Sequence, residues 1–141
     1  MRDIDKIIVH CTATREGAPV SLDTVRRWHL ERGWSDIGYH YLILLDGTIE
    51  RGRPEERQGA HVRSYNKNSI GVAYVGGLDR NLEPKDTRTQ DQKDSLHNLL
   101  SNLMASYEDA TLHGHNEFSN KACPSFNVSK EYDYIINLYE R

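Results

Sequence analysis

His10 ends the apolar run IIVH, and late in the chain HGHNEFSNKACPSF places Cys123 eight residues after His115. Two imidazoles and a thiolate can form a catalytic zinc set, in which three protein ligands leave a fourth position for water. The same residue types serve two other chemistries. Cys123 could be a nucleophile with His115 as its base, or Cys11 and Cys123 could form a disulfide, which the apparent cytoplasmic origin disfavours. Composition and spacing do not rank the first two readings.

The elements that must position these groups follow from periodicity. Ile4 to Val9 reads as a strand that delivers His10 and Cys11 to opposite faces. Ser21 caps a helix over Leu22 to Arg32, stopped by Gly33, with Leu22, Val25, Trp28 and His29 on one side. Tyr39 to Leu45 reads as a strand, and the Asp46-Gly47 turn leads into Thr48 to Arg51. In that strand Tyr39, Tyr41, Ile43 and Leu45 are expected on one face, with His40, Leu42 and Leu44 on the other. Ser69 to Val75 is a buried strand ended by Gly76-Gly77, followed by a polar loop to Arg88.

Thr89 and Gln92 form a capping box before a long helix whose core face is Leu96, Leu99, Leu100, Leu103, Met104 and Tyr107. A short strand from Thr111 to His113 precedes the cysteine loop. A last helix, capped by Ser129, presents Tyr132, Ile135, Ile136 and Tyr139. The pattern predicts an α/β fold, a single domain over residues 1–141 with a central mixed β-sheet flanked by helices.

Composition narrows the function classes. The chain has 141 residues, 37% hydrophobic and 28% charged, as expected of one globular core. No run approaches the roughly 20 apolar residues that cross a bilayer, so no stable membrane association is expected. The net charge of −3 comes from 18 basic and 21 acidic residues without a basic block, so nucleic acid is not an expected partner. The start, MRDIDKIIVHCTAT, lacks the segments of a secretory signal, which predicts synthesis in the cytoplasm.

Four blocks in order, IIVHCTAT, RRWHLERGWSDIGYHYLILLDGTIERGR, GAHVRSYNKNSIGVAYVGG and HNEFSNKACPSF, carry a resemblance. From about Ile4 to Phe126 the chain resembles the N-acetylmuramoyl-L-alanine amidases of the short phage lysozyme type, relatives of the animal peptidoglycan recognition proteins. The resemblance implies a zinc ion on His10, His115 and Cys123, and a catalytic pair at Tyr39 and Lys121. It implies hydrolysis of the amide between N-acetylmuramic acid and L-alanine, by a monomer that reaches the wall after release or delivery, as an endolysin or a remodelling enzyme does. His61 in GAH and Asn68 in NSIGV fall where the family lines its glycan and peptide cleft.

His113 competes with His115, because residues two apart share a strand face if the strand continues. Register with Cys123 favours His115. His40 is expected to face away from Tyr39. The chain departs from the phage proteins at Asn116, where they carry a second histidine. Some relatives bind muropeptides without cutting them, and phage lysozymes of this type can bind the phage RNA polymerase. A binding or protein-regulating module is therefore the alternative to an enzyme.

Overall fold

The computed structural model describes residues 2–139. In chain order the elements are β1 (Lys6–Cys11), β2 (Thr14–Arg15), α1 (Leu22–Glu31), β3 (Tyr41–Ile43), β4 (Ile49–Arg51), β5 (Ser69–Tyr74), β6 (Gly77–Leu78), α2 (Gln90–Ser106), β7 (Thr111–Gly114), α3 (Val128–Glu131) and α4 (Asp133–Leu138). Five strands form one sheet in the order β4-β3-β5-β1-β7. β1 is parallel to both neighbours, β3 is parallel to β5, and only β4 runs antiparallel at its edge. This is the mixed sheet that the pattern predicts.

Helices cover both faces. Ile7, Val9 and Cys11 of β1 join Ile70, Val72 and Tyr74 of β5 against Leu96, Leu99, Leu100, Leu103 and Met104 of α2, with Tyr132 and Ile135 closing the same core. Each such side chain contributes about 1.5–3 kcal/mol on burial. A smaller core on the opposite face packs Val25 of α1 on Ile37, Leu42, Ala73 and Val75. His10, one residue out of phase with Val9 and Cys11, points to this second side.

Several expectations give way to tertiary constraints. Trp28 is 37% exposed, whereas Val25 and His29 are buried. Successive helix residues differ by about 100°, so Trp28 lies well round the helix from His29 and faces away from the sheet. The strand expected over Tyr39 to Leu45 is regular only over Tyr41–Ile43. Before it, the consecutive carbonyls of Tyr39 and His40 accept from the consecutive amides of Arg53 and Gly52, which breaks the alternation of a regular antiparallel ladder. At this break Tyr39 leaves the face of Tyr41 and Ile43 and packs with Leu42 on the α1 side.

The last helix is capped by Asn127, which accepts from the Lys130 amide, and Ser129 only supports that cap. It breaks at Tyr132 into α3 and α4. The polar loop after Gly76 contains a strand the periodicity did not reveal, because β6 pairs with β2 over only two residues.

Candidate metal centre

Three elements converge at the carboxyl ends of the central parallel strands, the usual place for a site in an open α/β sheet. His10 is the penultimate residue of β1, His115 starts a 3-10 turn directly after β7, and Cys123 lies in the loop before α3. The His10 and His115 rings lie 4.7 Å apart between centroids. Cys123 Sγ is 3.9 Å from His10 Nδ1. The candidate ligand atoms of the three residues all lie within 4.8 Å of one another. Tetrahedral zinc bonds of about 2.0–2.3 Å place ligand atoms roughly 3.3–3.7 Å apart, so the set needs only a small closure to hold an ion.

The donor chemistry fits as well as the spacing. The Cys11 amide donates to Cys123 Sγ at 3.2 Å, a bond that favours a thiolate. Burial, then the neighbouring His61, His115, His40 and Lys121, lowers the His10 pKa far below its ordinary value. Burial and the Lys121 charge lower that of His115. Both imidazoles are therefore held neutral, with a lone pair to give. The shared hydrogen bond with the Cys11 side chain, followed by burial, pushes the Cys123 thiol up. A dication at the sulfur reverses that balance, because a coordinating thiol is deprotonated outright.

The cysteine loop is tied down from several sides. Tyr74 donates to the Pro124 carbonyl at 2.6 Å, and Ser125 Oγ donates to the Gly77 carbonyl at 2.8 Å. Asn116 Nδ2 donates to the Phe126 carbonyl at 3.1 Å, so Asn116 supports this loop. The Arg88 guanidinium stacks 3.6 Å from the Phe126 ring centroid and donates to the Tyr132 hydroxyl and to Asp86. Arg88 meets Phe126 and Tyr132 only through contacts distant in the chain, which local spacing does not advertise.

Tyr39 stands beside the cluster, its ring 5.2 Å from that of His10 and 5.3 Å from that of His29. Burial, then the nearby Cys123 and Cys11, raises its pKa, which keeps it a neutral phenol. Lys121 is exposed at the rim, close enough for its charge to act on both His10 and His115. The structure thus brings His10, His115, Cys123, Tyr39 and Lys121 to one place.

His61 reaches the same place from below, with Nδ1 2.8 Å from His10 Nε2. Asn68 does not. Its Nδ2 donates to the Asp3 carbonyl and its own carbonyl accepts from Asp5, at the far end of β5 from the cluster. His113 is engaged by Thr111 and Glu117, because the strand stops at Gly114 and the two histidines no longer share a face. His40 is buried; its Nδ1 accepts from the Gly71 amide, so Nε2 carries the proton donated to the Arg57 carbonyl. Cys11 and Cys123 are both free thiols.

The comparisons with known proteins agree with this geometry. A family model described as N-acetylmuramoyl-L-alanine amidase matches residues 1–126. The endolysin of Escherichia phage T7 is 46% identical over 129 residues, covering 92% of this chain and 85% of the phage protein. Peptidoglycan-recognition protein SC2 of Drosophila melanogaster is 30% identical over 133 residues, 88% of this chain and 70% of that protein. The solved structure of N-acetylmuramoyl-L-alanine amidase LysC from Clostridium intestinale superposes with a TM-score of 0.80 at 32% identity, covering 97% of this chain and 85% of its own.

Proposed function

The chain belongs to the N-acetylmuramoyl-L-alanine amidase family, and on that premise we propose that it is a zinc-dependent peptidoglycan amidase. Its target is the bond between the lactyl carbonyl of N-acetylmuramic acid and the amino group of L-alanine. The observation that carries the reading is the set of His10, His115 and Cys123 ligand atoms gathered within 4.8 Å of one another at the strand ends. One amidase domain spans the chain.

His10, His115 and Cys123 would hold a dication, which would polarise a carbonyl oxygen and acidify water, the chemistry that amide hydrolysis near neutral pH requires. Thiolate donates more charge than imidazole, so this set moderates that effect while holding the ion firmly. Tyr39, whose phenol ordinarily titrates near 10, acts as a hydrogen-bonding group that orients the attacking water. Lys121 places its ammonium where the carbonyl oxygen gains negative charge and stabilises it as the C–O bond forms. The C–N bond then breaks as the alanine nitrogen takes up the proton released by the attacking water.

A recognition module that binds muropeptide without cutting it is the second reading, suggested by the recognition-protein relative. The presence of Cys123 with both histidines favours the enzyme, because mere binding of a glycopeptide needs no such set. Release of new L-alanine amino termini from purified cell wall tests the proposal. Release is expected to stop with a chelator and return with zinc. Chelator-resistant release blocked by thiol alkylation would instead make Cys123 a nucleophile, and binding without release would make the protein a recognition module.

A further inference from the structure

We propose that His61 is the positioning residue of His10: it accepts the Nε2 proton of His10 and thereby fixes which ring nitrogen of His10 faces the metal. The inference rests on the reading of His10 as a metal ligand. An imidazole has two nitrogens, and the hydrogen bond made by one selects the tautomer and so the donor atom at the other. In His10 the two nitrogens are already distinguished. Nδ1 faces Cys123 Sγ at 3.9 Å, and Nε2 faces His61 Nδ1 at 2.8 Å. With Nδ1 giving its lone pair to an ion, a neutral His10 carries its proton on Nε2 and donates it to His61. His61 then holds its own proton on Nε2 and donates to the Ser69 hydroxyl at 3.1 Å.

The place of the His61 ring is built by its surroundings. A Cβ at Gly71 would lie 2.6 Å from His61 Cγ, and one at Gly59 would lie 2.8 Å from its Cδ2, so the ring fits only because both neighbours are glycine. The His61 and Val62 amides both donate to Asn66 Oδ1 at 2.8 Å, which fixes the loop that carries the ring. The two imidazoles meet edge to face, at 85° and 4.9 Å between centroids. A neutral acceptor orients His10 without adding the negative charge of a carboxylate. The thiolate of Cys123 thus remains the one anionic donor of the set.

The test is zinc affinity, measured by chelator competition on wild type, His61→Ala, His61→Asn and Ser69→Ala, with the visible spectrum of the cobalt-substituted proteins as a second readout. His61→Ala should bind zinc about ten- to a hundredfold more weakly and shift the cobalt bands. His61→Asn puts an amide oxygen near the Nδ1 position and should recover most of that loss. Ser69→Ala should fall between wild type and His61→Ala. An Ala variant that binds zinc as tightly as wild type, or an Asn variant no better than Ala, would overturn the inference.

Nitrogen-15 NMR of zinc-loaded wild type decides the matter even if the Ala variant does not fold. His61 Nδ1 should be unprotonated and His10 Nε2 protonated, and the opposite pattern would be fatal. Wild type that bound no zinc would overturn the metal reading itself and this inference with it. Zinc-binding wild type with indifferent His61 variants would overturn this inference alone.

Discussion

At the scale of single residues, the division of labour around the cluster follows from charge and hydrogen bonding. Lys121 is exposed and supplies charge, with no donor pair to give an ion, so its removal should separate chemistry from metal binding. Lys121→Ala is expected to lower turnover about a hundredfold or more, the cost of losing one electrostatic stabiliser. Zinc content by atomic absorption should stay that of wild type, and undiminished turnover would strip Lys121 of its role. His113 and His115 divide in the opposite sense. His115→Ala should abolish stoichiometric zinc binding, whereas His113→Ala, which loses hydrogen bonds with Glu117 and Thr111 and an edge contact with Phe118, should keep its zinc. Zinc lost only from the His113 variant would move the ligand assignment by two residues.

At the scale of elements, a few local devices convert ordinary strands and loops into a site. The break in regular pairing before β3 is one, since there Tyr39 turns to the side of His10. It depends on Gly52, where a Cβ would come within 2.4 Å of the Tyr39 carbonyl oxygen. Gly52→Ala should therefore displace Tyr39, lowering activity while the metal ligands, which lie on β1 and beyond β7, keep their zinc. The capping box of α2 serves as a contrast. Thr89 accepts from the Gln92 amide at 3.1 Å, and Gln92 Oε1 accepts from the Thr89 amide at 2.9 Å, both remote from the cluster. Thr89→Ala should cost about 1 kcal/mol in a denaturant titration without altering zinc affinity. A Gly52 variant with wild-type activity would show that this close approach does not position the phenol.

At the scale of the whole molecule, the sheet is held on its α1 side by histidines buried in the neutral form. His29 accepts from the Gly38 amide at 2.8 Å, and burial lowers its pKa to about 4; burial lowers His40 likewise to about 4. A group whose folded pKa lies below its unfolded value near 6.5 contributes stability that is complete above 6.5. That contribution is lost as pH falls towards about 4, because the unfolded chain takes up the proton first. Urea titrations should show stability falling over that window, by roughly 2–3 kcal/mol per ring. His29→Asn, which keeps an acceptor for Gly38, should flatten the slope, and equal slopes in both proteins would remove His29 from the account. The sequence by itself determined the first strand and the Ser69–Val75 strand, the α2 capping box and its core stripe, while His10, His115 and Cys123 were offered as ligands by the family resemblance rather than by their spacing. The strands, the cap and the stripe rest on local periodicity and turn chemistry. Tertiary structure alone decided that Tyr39 turns to the side of His10, that Trp28 faces solvent, that Asn68 ties down the N-terminal segment and that His61 backs His10. Those outcomes depend on irregular pairing across strands and on glycines that admit a ring from a distant loop. Spacing along one segment cannot encode a contact whose other half lies fifty residues away.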